Sequence, residues 1–319
     1  MNILLYFETQ KSLRSQNLGG IEILNLDLYK MIKQVNSNTF LTNNLSHKIK
    51  KIKWDVVISS NDAKIFDRIQ TKKKILWLHN LLQLEKAFRK KQLVPIMKNK
   101  ITAVFNSNYL KKNTNILYNF DNKIVIPNFL TSHFQNLKLN LHRNPYFVWS
   151  VQRTKGLEEI VDIWIKQINP VNSKAKFFIF GLDNSKIGIY NLQKLKKYNI
   201  FFMGRVNRQT LRKFYMSSMG MICLGYDETF CLNAIESMAC GLPIITFGYT
   251  ALSEISSKQN SFKALDFDDV SQKILLINNM NSKSRNRLIK NCVQFSRKYY
   301  LNNFINIWFK TIGINNYIH

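Results

Sequence analysis

Short, uninterrupted apolar runs recur along the whole 319-residue chain, each followed by a longer amphipathic stretch. One series is "NILLYF" (2–7), "DVVIS" (55–59), "KILWL" (74–78), "TAVFN" (102–106) and "KIVI" (123–126). A second is "YFVWSV" (146–151), "KFFIFG" (176–181), "IFFMG" (200–204), "GMICLG" (220–225) and "PIITF" (243–247). Continuous rather than alternating apolar character marks strands buried on both faces, as in parallel sheets covered by helices. Helix-like stretches such as 20–35 and 82–94 supply that cover. The chain is also longer than one hydrophobic core usually serves. The expectation is an α/β protein of two doubly wound, Rossmann-like domains facing a central cleft, separated by the polar stretch 127–145. The predicted boundaries are 1–130 and 146–295, with a C-terminal segment 296–319. The tail from 267 to 312 reads as helical throughout, and its aromatic "FINIWFK" is expected to pack back on the first domain. In such folds ligands lie beyond the carboxyl ends of the strands.

Charge narrows the partners. A net +28 is spread over both halves, +16 in residues 1–145 and +12 in 146–319, so it is not a basic tail. Codon bias toward Lys, Asn and Ile accounts for part of it, but not for only 19 acidic residues. Such a field favours a polyanion: an anionic membrane surface, nucleic acid or nucleotide phosphates. Basic stretches interleaved with apolar residues, "KIKKIK" (48–53) and "KAFRKKQ" (86–92), have the pattern of interfacial segments. A solvated basic face is the plainer account of the same residues. The four cysteines, Cys223, Cys231, Cys240 and Cys292, lack C-x-x-C spacing and read as reduced, buried thiols. The opening "MNILLYFETQ" turns polar too soon for a secretory signal, and no apolar run approaches the roughly 18 residues of a transmembrane helix. The expected location is the cytoplasm, peripheral at the inner face of the cell membrane at most.

Against that acid-poor background, "DETFCLNAIESMACGLPIITF" (227–247) places Glu228 and Glu236 eight positions apart between two apolar strands. A helix opening after a buried strand presents N–H groups and partial positive charge to an anion. Phe230, Cys231 and Leu232 would offer those amides, with Glu228 before them to accept hydroxyl hydrogen bonds. Glu236 shares a helical stripe with Asn233, Ser237 and Cys240. On the glutamates alone, the plainer reading is a narrow solvent-facing stripe on an otherwise buried helix.

The order of residues through 228–246 resembles the E-x7-E segment of the family 4 retaining glycosyltransferases with the GT-B fold, with Ser237 where an Ala is usual. Other segments follow in that family's order. "LGGIEILNLDL" (18–28) resembles the loop whose Gly-Gly pair, here Gly19 and Gly20, opens the first helix beside the donor phosphates. "ILWLHN" (75–80) resembles the strand whose terminal His, here His79, points toward the reacting sugar. "VFNSNYLKK" (104–112) and "IVIPNF" (124–129) resemble the segments closing the first domain. "NIFFMGRVNRQTLRKFYMSS" (199–218) resembles the Gly-x-Val loop that contacts the base, placing Gly204, Arg205 and Val206 there.

One departure bears on the diphosphate. The family usually has Gly-Arg at the end of the second domain's first strand and Lys-Gly about five residues on. Here "WSVQRTKGLEEI" keeps Lys155-Gly156 but has Ser150-Val151 for Gly-Arg, with Arg153 displaced toward the lysine as a substitute. The first domain is also short for the family. By resemblance, Lys155 and Arg153 hold the diphosphate, Glu236 the ribose hydroxyls and Glu228 the donor sugar. The implied activity is retaining transfer from a UDP- or GDP-sugar to a saccharide or lipid-linked acceptor. No cofactor and no metal are expected. The Asp-x-Asp of "DFDD" (266–269) precedes a helix, where Asp268 or Asp269 suits an N-cap and first turn better than a metal. The alternatives that remain are a DNA-modifying glycosyltransferase, a nucleotide-sugar epimerase of the same fold, and a non-catalytic binding module.

Overall fold

A computed structural model of the chain describes residues 1–9, 13, 18–151, 155–182 and 192–314. Two compact units emerge, residues 1–131 with 299–319, and residues 132–298. Each is built on six strands, and every strand pair runs parallel.

In the first unit the strands are β1 (Ile3–Phe7), β2 (Thr39–Thr42), β3 (Trp54–Ser60), β4 (Thr71–Leu78), β5 (Ile101–Phe105) and β6 (Asn122–Val125), in the spatial order β2-β1-β3-β4-β5-β6. β1 and β5 are buried along their whole length, as their unbroken apolar sequences require. The chain leaves β1 toward one edge and returns at β3 to build the other. β1 and β3 therefore diverge at their carboxyl ends, where doubly wound sheets open a crevice.

The second unit holds β7 (Tyr146–Trp149), β8 (Lys176–Phe180), β9 (Ile200–Gly204), β10 (Gly220–Ile222), β11 (Ile244–Thr246) and β12 (Ser261–Lys263), ordered β12-β11-β10-β7-β8-β9. Its reversal of direction falls between β7 and β10. Phe147 and Phe177 pack on the buried Trp164, with ring centroids 5.9 and 5.1 Å apart.

Several sequence expectations are corrected. β2 and β12 were not foreseen, because edge strands of three or four residues carry no apolar run. The stretch 82–94 is not one helix but two, Leu84–Arg89 and Leu93–Lys98, with Lys91 between them in the left-handed region at φ 55°. The tail is helical with interruptions: Phe267–Asn278, Ser282–Ser296 and Ile305–Ile312 are α-helices separated by short turns. The last of these seats Trp308 edge-on against Trp77 of β4, 4.9 Å between centroids. No described helix is long and apolar enough to cross a membrane.

Candidate active site

The second unit's reversal point collects two of the residues singled out in the sequence. Beyond the ends of β7 and β10, Lys155 and Glu228 line one depression with Gly225 and Tyr226. Lys155 Nζ lies over the Tyr226 ring, 4.6 Å from its centroid. The face of an aromatic ring attracts an ammonium without neutralising it. The lysine is held there by Gly156, which caps the helix Leu157–Ile163 at φ +86°. A side chain at 156 would be strained and would also meet Leu224 Cδ1 at 2.5 Å.

Glu236 is wholly buried, as is Ser237, and Cys240 is nearly so, which overturns the solvent-stripe reading of the helix Leu232–Ala239. A buried carboxylate in a protein interior demands a partner. It has one in Arg208, whose guanidinium bonds Glu236 Oε2 from the first turn of the helix Arg208–Ser217. Arg143, itself buried, donates to the carbonyls of Tyr215 (2.9 Å) and Cys240 (2.7 Å) and so ties together the ends of these two helices. Burial pushes the Arg143 guanidinium down to about 10.

The amides expected at 230–232 shift by one residue. The helix begins at Leu232, Cys231 is its N-cap at φ 64°, and Phe230 lies before it, buried. The departure at Ser150-Val151 also finds a physical reason. Ser150 Oγ bonds the Tyr215 hydroxyl at 2.6 Å in the core, its carbonyl accepts from Asn233 Nδ2, and Val151 is buried. Ser150 is thus engaged in the core, while Val151 lines the depression that holds Lys155 and Glu228. Arg153 lies outside the described residues. Gly204 ends β9 at φ 63°, followed by exposed Arg205 and half-buried Val206. This loop leads through the N-cap Asn207 into Arg208, the residue that sequence reasoning missed. No local signal marked it, because its pairing with Glu236 spans 28 positions.

In the first unit His79 follows β4 and is buried against Trp77, 4.5 Å between ring centroids. Burial drives its imidazole down to about 3, against the opposing effect of a hydrogen bond with Asn128. It is therefore neutral near pH 7. Gly19 caps the helix Gly20–Val35, and a side chain on it would meet Glu22 Oε2 at 2.5 Å. The resemblance implies a donor phosphate beside Gly19 and Gly20; the structure sets a carboxylate there.

All four cysteines are free and buried, with Cys223 Sγ and Cys231 Sγ 3.3 Å apart. In "DFDD" the N-cap is Asp266, which accepts from the Asp269 N–H at 2.8 Å, and Asp268 and Asp269 occupy the first turn, not the cap. Asp269 pairs with Lys273 at 3.0 Å. Among the described residues no three His, Cys, Asp or Glu side chains gather as a metal site.

The family model described as Glycosyl transferases group 1 matches residues 134–294. An uncharacterized glycosyltransferase of Methanocaldococcus jannaschii is 30% identical over 111 residues, 34% of this chain and 28% of that protein. The chain thus matches under a third of the length of this curated relative. Sucrose-phosphate synthase from Thermosynechococcus elongatus superposes with a TM-score of 0.71 at 13% identity, over 99% of this chain and all of that one. WaaG, a glycosyltransferase involved in lipopolysaccharide biosynthesis, gives 0.71 at 10% identity, over 99% and 100%. HepE of Anabaena, solved in complex with UDP, gives 0.70 at 13% identity, over 98% and 100%. The fold is GT-B, two Rossmann-like α/β units.

Proposed function

Because this chain belongs to the glycosyl transferases of group 1, we propose that it moves a glycosyl unit from a nucleotide-sugar to an acceptor hydroxyl, with retention and without a metal. The observation that carries this reading is the pairing of Lys155 and Glu228 in one depression at the β7/β10 reversal. The lysine supplies charge for a leaving diphosphate, and the glutamate accepts hydrogen bonds from sugar hydroxyls. Glu236, paired with Arg208, is the ribose-side acid of the proposal. Leu232 and Asn233, in the helix's first turn, add backbone N–H groups.

In the proposed step the acceptor oxygen bonds the anomeric carbon as the bond from that carbon to the diphosphate oxygen breaks. The acceptor's proton passes to a phosphate oxygen of the departing nucleoside diphosphate, on the same face. No enzymic nucleophile is needed. His79, buried and neutral in the first unit, is given no proton transfer in this step. A UDP-sugar is the donor favoured by the UDP-bound neighbour, with GDP-sugars as the comparison. Peripheral contact with anionic lipid is proposed through the helices Leu84–Arg89 and Leu93–Lys98. There Phe88, Val94 and Met97 are 74%, 67% and 65% exposed beside Arg89, Lys90, Lys91 and Lys98.

One assay tests the whole reading. Nucleoside diphosphate release from UDP-, GDP- and ADP-sugars is followed with soluble saccharides and with glycolipid in anionic vesicles, with and without EDTA. Acceptor-dependent release that survives chelator is expected, with the vesicle-bound enzyme shed by added salt. Activity lost to EDTA and restored by manganese would overturn the metal-free step. Donor conversion without any acceptor would replace transfer by epimerisation.

A further inference from the structure

Tyr226 lines the β7/β10 depression with Lys155 and Glu228, yet it has no role in the proposed transfer step. Its ring lies under the lysine, with Nζ 4.6 Å from the centroid. The surrounding sequence fixes where that ring can be. Gly225, just beyond β10, turns the chain into Tyr226 at φ +97°, and a Cβ there would meet Leu252 Cδ1 at 2.9 Å and the Tyr249 carbonyl oxygen at 3.3 Å. Phe247 meets the Tyr226 ring edge-on, 5.8 Å between centroids, and is itself braced by Phe267 at 5.4 Å. A Cβ on Gly156 would meet Tyr226 Cε2 at 3.2 Å, so the bare glycine leaves room for the ring beside the residue that follows Lys155.

Charge makes this partnership informative. Among the described residues no carboxylate pairs with Lys155, although Glu228 lines the same depression and Glu158 and Glu159 stand in the first turn of the adjoining helix. A lysine tied to an acid has its charge offset where a phosphate would need it. A lysine with no partner at all wanders among rotamers, and a ligand must order it on binding. An aromatic face avoids both costs, because it restricts the side chain and leaves the ammonium charge whole. The ring also stays uncharged, since burial, and after it the nearby Glu159 carboxylate, raise the Tyr226 hydroxyl above its ordinary value.

We propose that Tyr226 is a positioning residue for the donor diphosphate: its ring holds the Lys155 ammonium at the depression, ordered and unneutralised, before the ligand arrives. The proposal rests on the glycosyl-transfer reading and deepens it, because Tyr226 acts on the phosphates only through Lys155. The aromatic face carries the effect and the hydroxyl does not. A residue that merely shaped the wall would affect every ligand of the depression, whereas a positioning residue affects those that bring a phosphate to the lysine.

Calorimetry and carbon-13 lysine NMR on the full chain test it, with UDP, GDP and their nucleosides as ligands. Tyr226→Leu should weaken the preferred diphosphate about two- to fivefold, the worth of one solvent-exposed cation–π contact, and leave its nucleoside unchanged. Tyr226→Phe should bind as the wild type does. In a Lys155→Gln background, Tyr226→Leu should have no further effect, because the two residues act as one unit. The NMR readout needs no ligand. The Lys155 ε-methylene, identified by its absence in Lys155→Gln, should lie upfield of the other lysines in wild type and Tyr226→Phe, and rejoin them in Tyr226→Leu. Equal losses in Tyr226→Phe and Tyr226→Leu would assign the effect to the hydroxyl and overturn the proposal. So would equal weakening of the nucleoside, or an undiminished loss in the Lys155→Gln background. Diphosphate binding with the Lys155 resonance among the other lysines would also overturn it, and would spare the transfer reading. A ring-shifted resonance with no UDP or GDP binding would leave Tyr226 holding Lys155 and remove the transfer reading.

Discussion

The two parallel sheets put polar sites at equivalent places, beyond the reversal of strand order, yet they treat charge in opposite ways. In the first unit, Asp62 is buried with an oxygen unclaimed, and the nearby Lys64 is shared between carboxylates. In the second, the buried Glu236 is claimed by Arg208, and the available charge is Lys155, lying on an aromatic face that does not neutralise it. The first cluster sets its lysine between acids, and the second leaves its lysine on an aromatic face. The same topology therefore frames two clusters that differ in which ion is paired rather than in the fold.

The contrast breaks most visibly if the paired acid loses its partner. Arg208→Met strands a carboxylate with no exposure and is expected to destabilise the protein by about 3 kcal/mol in urea denaturation. Asp62→Asn, which keeps the acceptor for the Lys64 N–H, should change stability by no more than about 1 kcal/mol. Equal losses in the two variants would mean that both acids are structural.

A second difference concerns protons. His79 titrates near 3 when folded and near 6.5 when unfolded, so the unfolded chain binds the extra proton between those values. Its contribution to stability is complete above about pH 6.5 and is lost as pH falls toward 3. Between pH 7 and pH 4.5 the wild type should lose about 2.5 kcal/mol more than His79→Phe, because the variant lacks this titration. Parallel pH profiles would show that the imidazole is solvated and charged, and would return it to the list of proton-transfer groups.

Much of the fold was legible because strands buried on both faces of a parallel sheet must be apolar at every position. That is why β1, β5 and β8 could be read directly, whereas the edge strand β9 was read only because its sequence is apolar without full burial, and β2 and β12, edge strands without an apolar run, could not be read. The break in 82–94 was hidden because its sequence is amphipathic throughout, and only the left-handed Lys91 interrupts it. At the site, Lys155 and Glu228 were visible through local order in the sequence, and the structure brings them together. Arg208 was not, because a pairing across 28 positions leaves no periodic trace. An acid-lined cavity of the first unit was invisible for the same reason: Glu8, Glu22 and Asp62 are assembled by β1, the first helix and the loop after β3. Nothing in their spacing announces it.

The central claim is that the second unit binds a nucleoside diphosphate through Lys155, and calorimetric titration of UDP and GDP into wild type and Lys155→Gln tests it most directly. Removing one charge-assisted phosphate contact should weaken the preferred nucleotide about tenfold at an unchanged Tm, because Lys155 is exposed and only rests on Tyr226. Affinity for the nucleoside alone should not move. Undiminished diphosphate affinity in Lys155→Gln, or equal weakening for the nucleoside and its diphosphate, would contradict the account.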